Sequence, residues 1–230
     1  MNIRILWSWE LPANLDGTVV VADVYAATTN IALFLARGVK KLFLVNEKSV
    51  LRLKQQYPKA RIIGESLTLP FNFFQASNLP SKIDKVSLAG QTVCYMSING
   101  TRVVGEVSKK GADKVLSVSF TNIDAVVWWL KQHQPKNLTL VPAGDGDTKV
   151  LEDEICITML KDLIDGKTTA WEENITRADN FIRSYYVSKN FDPDLAIIFE
   201  LNRYPVVPKC YQSAHGLLTV VDARAGQKGR

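Results

Sequence analysis

The chain has 230 residues, 47% of them apolar and 22% charged, an ordinary composition for a globular fold. A chain of this length can bury about 70% of its unfolded surface, so it needs no disulfide or metal staple. The net charge of +5, with a pI near 9.0, hints at an anionic partner. The last eight residues hold Arg224, Lys228, Arg230 and no acid, which leaves +2 for residues 1–222. No run of five like charges and no basic stretch interleaved with aromatics occurs, so a nucleic-acid surface is not expected.

Cys94, Cys156 and Cys210 are odd in number and contain no C-x-x-C, so free thiols in a reducing cytoplasm are expected. With only His133 and His215, a structural zinc site has no ligand set. The opening MNIRILWSWELP lacks the long apolar core of a secretory leader. No stretch reaches the roughly 18 apolar residues of a membrane span, so no membrane partner is expected.

In chain order, 18–23 (TVVVAD) is β-branched and apolar throughout, the pattern of a buried strand, and 28–37 follows as a helix stopped by Gly38. A strand over 41–46, a charged amphipathic helix over 47–57 halted by Pro58, and a short strand over 61–64 come next. Residues 66–81 carry two prolines and aromatics without a period, and are expected to form a long ordered loop of functional character. The rhythm repeats with a strand at 92–97, a helix at 101–110, a strand at 114–119 and a helix at 122–133. A strand at 138–142, a helix at 151–165, a helical stretch at 168–189 and a strand at 217–222 complete it. Alternating strands and helices predict an α/β fold with a mixed, largely parallel sheet. Residues 1–222 are expected to form one α/β domain, or two intimately packed lobes, and 223–230 are expected to be a basic, disordered tail.

Ligands of such sheets bind where strands end and helices begin. The loops there, 23–29, 64–65, 97–102, 119–122 and 143–153, share Asp, Glu, Asn, Thr, Ser and Gly. Carboxylates with few thiols or imidazoles suit a hard cation such as Mg²⁺. Gly and Thr at helix starts suit an anion, because free N–H groups point outward there. Together they suggest phosphoryl chemistry.

Three motifs fail on inspection. Asp145-Gly146-Asp147-Thr148 approaches the D-x-D-x-[TV] phosphatase signature but has Lys149 in its last place. Gly166-Lys167-Thr168 lacks the first glycine of a P-loop and follows a helix. A serine triad would have to recruit His133, at a helix end, or His215, in a polar turn. Trp128-Trp129 reads as core or subunit contact.

The segment Asp23-Val24-Tyr25-Ala26-Ala27-Thr28-Thr29 resembles the D-V-L-R-A-T-[ST] motif of the 2-phosphosulfolactate phosphatase family. Gly64-Glu65, Ser77-Asn78-x-Pro80 and Ser97-Ile98-Asn99-Gly100-Thr101-Arg102 resemble further family strings, the last of them T-T-N-G-T-R. Ser119-x-x-Asn122-x-x-Ala125-Val126, Val141-Pro142-Ala143-Gly144 and Glu152-Asp153 continue the likeness in order, with a weaker Val206-Val207-Pro208 later. The resemblance implies an α/β/α fold, a homodimer, and Mg²⁺-dependent hydrolysis of 2-phosphosulfolactate to sulfolactate and phosphate, on the way to coenzyme M. It places Asp23, Glu65 and Asp153 or Glu152 around the metal. Asn99, Gly100 and Thr101 would cradle the phosphate, Thr28, Thr29, Asn78 and Asn122 would line the pocket, and Arg102 would neutralise transition-state charge. A carboxylate, Asp23 or Asp153, would act as general base. The family's arginine is Ala26 here, and a lost guanidinium contact is worth about 1.5–3 kcal/mol. The alternative is therefore a relative that binds a small anionic metabolite without turning it over.

Overall fold

The computed structural model describes residues 1–186, 191–213 and 216–225. Nine strands form one sheet: β1 (Asn2–Ile5), β2 (Thr18–Ala22), β3 (Lys41–Leu44), β4 (Arg61–Gly64), β5 (Thr92–Met96), β6 (Lys114–Val118), β7 (Asn137–Pro142), β8 (Pro208–Gln212) and β9 (Leu218–Asp222). Their order is β1-β7-β2-β6-β8-β9-β3-β5-β4. The sheet is mixed and mostly parallel, as expected. Within β1-β7-β2-β6 and within β3-β5-β4 every pairing is parallel, and the hairpin β8–β9 joins the two blocks through antiparallel pairings. The blocks consequently run in opposite senses.

The helices are α1 (Ala27–Ala36), α2 (Glu47–Gln56), α3 (Pro80–Ile83), α4 (Gly100–Lys109), α5 (Ile123–His133), α6 (Leu151–Ile164), α7 (Trp171–Tyr185) and α8 (Asp192–Ile198). Strand side chains alternate between two faces. Val19 and Val21 of β2 join α1 and α4 in one core, while Val20 and Ala22 join α5, α6, α7 and α8 in the other. In β5, Tyr95 faces the first core, whereas Cys94 and Met96 face a third cluster built on α2. The result is the expected three layers. Eight of the ten residues of α1 are buried. A helix that is apolar on every side belongs inside, and α1 lies between the β6–β8 region and α3.

Helix α4 leaves β5 in one block but packs on β2, β6 and β8. It therefore crosses to the other block, and its first turn meets that of α1. A Cβ on Gly100 would lie 2.4 Å from Ala27 Cβ and 2.6 Å from Asp23 Oδ2, so only glycine permits this approach. That meeting of helix starts brings the ends of β2, β4, β5 and β7 together.

Four elements depart from the pattern reading, the first being α3, a single helical turn that begins inside the expected loop. Strand β1 is a four-residue edge strand, and β8 begins with Pro208. Helix α8 has only seven residues, with Pro193 in its first turn. The long stretch 66–81 is ordered: Ala76 bridges Ile63, Ser66 Oγ donates to Glu47 Oε1 at 2.6 Å, and a 3₁₀ turn spans Phe71–Phe73. Residues 223–225 form a turn in which the Arg224 N–H donates to Asp222 Oδ1 at 3.0 Å. The rest of the expected tail, 226–230, lies outside the described residues.

Candidate active site

Asp23, Glu65, Asp145, Glu152 and Asp153 line one small cavity of about 140 Å³, together with Asn78, Asn99, Tyr25 and Tyr186. Among its described lining residues there is no lysine, arginine or histidine.

Asp23 leaves β2 nearly buried, 8% exposed. Its Oδ1 accepts the Ala27 N–H at 3.0 Å, and its carbonyl accepts the Thr28 N–H and hydroxyl at 2.8 Å each. It thus caps α1, yet its Oδ2 has only a 3.5 Å approach from Asn99 Nδ2. Burial pushes its carboxyl up to about 6, against the lowering pull of the Ala27 and Asn99 contacts.

Glu152 and Asp153, in the first turn of α6, take different roles. Asp153 accepts the Val24 N–H at 2.7 Å and the Gly144 N–H at 3.0 Å, one on each oxygen. It ties the loop after β2 to the loop after β7. Glu152 accepts the Tyr186 hydroxyl at 3.0 Å on Oε1, while Oε2 is buried without a partner. Burial raises both, Glu152 to about 7 and Asp153 well above the usual carboxylate range, where the charges of Asp23 and Glu152 add to the effect.

Glu65 follows β4. Asn78 Nδ2 donates to its Oε1 at 3.0 Å, and burial raises its carboxyl although the Ile98 N–H and Asn78 pull it down. The Asn78 amide is held in turn: Oδ1 accepts from Asn30 Nδ2 at 3.1 Å and from the buried Tyr95 hydroxyl. With Oδ1 occupied by donors, Nδ2 must face Glu65.

The loop after β5 brings Asn99 to the cavity, where its Nδ2 donates to the Gly144 carbonyl. Arg102, exposed, donates to Asn99 Oδ1 at 2.7 Å and to Glu106 Oε1 at 2.9 Å. It orients Asn99 from outside and is not among the residues lining the carboxylate cavity.

Several expected pocket residues do not line this carboxylate cavity. Thr28 and Thr29 are fully buried, and their hydroxyls donate to the carbonyls of Asp23 and Val24 at 2.8 and 2.9 Å. Thr101 Oγ1 donates to the Ser97 carbonyl at 2.8 Å, closing the turn before α4. Asn122 is buried at the start of α5; its Oδ1 accepts the Ser119 N–H at 2.8 Å and its Nδ2 donates to the Val206 carbonyl at 3.2 Å. These side chains satisfy backbone groups that a tight turn leaves open. His133 stacks on Trp129 with centroids 3.8 Å apart, away from the cavity. His215 lies outside the described residues. Trp129 is core and Trp128 is 44% exposed.

Residues 9–201 match a sequence model of the 2-phosphosulpholactate phosphatase family. The chain belongs to that family. A Thermoplasma acidophilum relative named "Probable 2-phosphosulfolactate phosphatase" is 24% identical over 191 residues, covering 83% of this chain and 84% of the relative. One from Thermoplasma volcanium with the same name is 27% identical over 197 residues, covering 85% and 90%. Another from Carboxydothermus hydrogenoformans is 32% identical over 155 residues, covering 66% and 63%. The relatives' shared name is that of a phosphoric monoester hydrolase.

In this phosphatase family member the donors at the cavity are all oxygens. Among the described residues no three Asp, Glu, His or Cys side chains form a ready-made metal-binding group. Of the expected ligands Asp23, Glu65 and Asp153 or Glu152, Asp153 already holds two backbone N–H groups. Mg²⁺, however, takes one or two protein carboxylates and fills the rest of its shell with water and phosphate. Asp23 Oδ2, the partnerless Glu152 Oε2 and Glu65 suit that demand.

The sequence reading missed Tyr186, Gly144 and Asp145. Tyr186 stands 34 residues from the carboxylate it contacts, and no local pattern marks such a pair. Asp145 failed as part of a motif but reaches the cavity through a tight turn in which the Asp145 and Thr148 backbones exchange hydrogen bonds of 2.9 and 3.0 Å.

Proposed function

We propose that the protein hydrolyses a small anionic phosphate monoester, 2-phosphosulfolactate or a related phospho-acid, with Mg²⁺ as cofactor. One observation carries the reading: five carboxylates line one small cavity with no basic side chain among its described lining residues. So much uncompensated negative charge favours a divalent cation, and a cation there makes the site attractive to a phosphate.

Asp23 and Glu65 would hold the metal, which would screen the carboxylates and polarise a phosphoryl oxygen. Asp153 positions the two loops by its backbone hydrogen bonds. Glu152, whose Oε2 is buried without a partner at the cavity, would be the general base that accepts a proton from the attacking water. The water oxygen bonds to phosphorus, the ester P–O bond breaks, and the departing alkoxide takes up a proton. Asn99, oriented by Arg102, and Asn78, oriented by Tyr95 and Asn30, present amide groups to the phosphoryl oxygens. The buried free thiols Cys94, Cys156 and Cys210 fit a cytoplasmic enzyme, and a homodimer remains part of the proposal.

The test is phosphate release from anionic monoesters with Mg²⁺ and with EDTA. Release that EDTA abolishes and Glu152→Gln lowers at least a hundredfold supports the reading. No release from any anionic monoester overturns it.

Ala26 favours a second reading. It lines the cavity, 4% exposed, where the family motif carries arginine. A binding protein without turnover would show a thermal shift with sulfolactate or phosphate and no phosphate release.

A further inference from the structure

A second cavity, of about 590 Å³, adjoins the carboxylate site, and the two share Glu65, Ser97 and Ile98 in their walls. Its apolar part is formed by Leu44, Met96, Leu217 and Leu218, from three neighbouring strands and the loop before the last. One wall is the face of α4 that carries Arg102, Gly105, Glu106 and Lys109, residues at helical spacing that share one side. Arg102 is engaged with Asn99 and Glu106. Lys109 forms no ion pair among the described residues.

Gly105 sits in the middle of α4, where glycine is the poorest ordinary helix former. Backbone packing does not demand it. A Cβ there would meet only Leu218 Cδ2, at an ordinary 3.7 Å. What the missing side chain leaves is room in the cavity. A three-carbon phospho-acid held at the carboxylates would leave this space to water.

We infer that the larger cavity receives the body of the substrate, a phosphate monoester with an extended, partly apolar chain ending in a second anionic group at Lys109. This rests on the phosphatase reading above and, within it, selects a longer related phospho-acid over the three-carbon 2-phosphosulfolactate. From Arg102, beside the carboxylate site, to Lys109 is seven residues, about 10 Å along the helix. A six-carbon chain spans that distance. The apolar wall takes its methylenes, Gly105 leaves their path open, and the Lys109 ammonium meets the distal carboxylate.

Three esters serve as probes: 2-phosphoglycolate, the phosphate ester of 6-hydroxyhexanoate, and n-hexyl phosphate. The hexanoate ester is expected to exceed phosphoglycolate at least tenfold in kcat/KM. Gly105→Leu, which blocks the path while favouring the helix, should cut that ratio tenfold or more. Lys109→Ala should bring the hexanoate ester down to the level of hexyl phosphate. A wild-type preference for phosphoglycolate, or ratios that neither variant changes, overturns the inference while the phosphatase reading stands. If no ester is hydrolysed, the phosphatase reading falls, and calorimetric titration with the hexanoate ester decides the cavity. Binding at least tenfold tighter than phosphoglycolate and lost in Gly105→Leu supports it; equal binding of the two overturns it.

Discussion

Two adjacent carboxylates in α6 show how much a role depends on the partner of each oxygen. Asp153 gives both oxygens to backbone N–H groups of separate loops. Asp153→Asn replaces one acceptor by a donor facing an N–H, and a buried group left unsatisfied costs about 1–3 kcal/mol. A fall in Tm by chemical or thermal melting is the expected outcome. Glu152→Gln removes the proton acceptor but resembles the protonated carboxyl, so at pH 5.5 its loss appears in turnover and not in Tm. Equal effects of both variants on Tm would contradict this division. At Ala26, arginine would bring a guanidinium into a cavity whose described lining has no cation. Charge-assisted contacts contribute about 1.5–3 kcal/mol, so Ala26→Arg is expected to tighten phosphate or sulfolactate binding about tenfold to a hundredfold, read by titration calorimetry. Unchanged or weaker binding argues that Tyr25 and its aromatic neighbours have remade the pocket for another anion.

At the scale of elements, two glycines of one helix behave oppositely. Gly105→Ala supplies the helix propensity that glycine lacks, about 1 kcal/mol, and its Cβ has room. Thermal unfolding should shift up by about 2–4 °C for a domain of this size. Gly100→Ala drives a methyl into Ala27 and Asp23; α1 and α4 must separate, so both Tm and activity should fall. Apart from β1, the strands of the two parallel blocks were legible because their patterns are strong. The β-branched run Thr18–Ala22 and the amphipathic 47–56 segment announce themselves. Strands β1 and β8 were not, since a four-residue edge strand and a strand opening on proline carry little periodic signal. The site was legible as a set of strand ends, and Asp23, Glu65, Asn78, Asn99, Glu152 and Asp153 do converge. Thr28, Thr29, Thr101 and Asn122 do not line the carboxylate cavity, since a hydroxyl or amide beside a helix start serves the local backbone as readily as a ligand, although Thr101 lines the larger cavity next to it. Tyr186 was invisible, because only the docking of α7 against α6 brings it to Glu152.

For the whole molecule, the carboxylate cavity sets a dependence of stability on pH. Asp23 titrates near 6 and Glu152 near 7 in the folded chain, while Glu65 and Asp153 are also raised. In the unfolded chain such groups titrate at about 4. Between these values the folded state binds more protons than the unfolded state, so stability falls as pH rises. Groups shifted the other way, such as Glu47 and Asp165, complete their titration below that window. In EDTA, Tm is therefore expected to decline from pH 5.5 to pH 8, and Glu152→Gln should flatten the decline. Added Mg²⁺ engages the ionised carboxylates, so it should raise Tm more at pH 8 than at pH 5.5. A Tm in EDTA that rises over the same interval would mean that the carboxylates are compensated by charges other than a bound cation. A Mg²⁺ shift equal at both pH values would place the metal away from these groups. The cavity thus weakens the unliganded fold at neutral pH and makes it responsive to the cation that the proposed reaction requires.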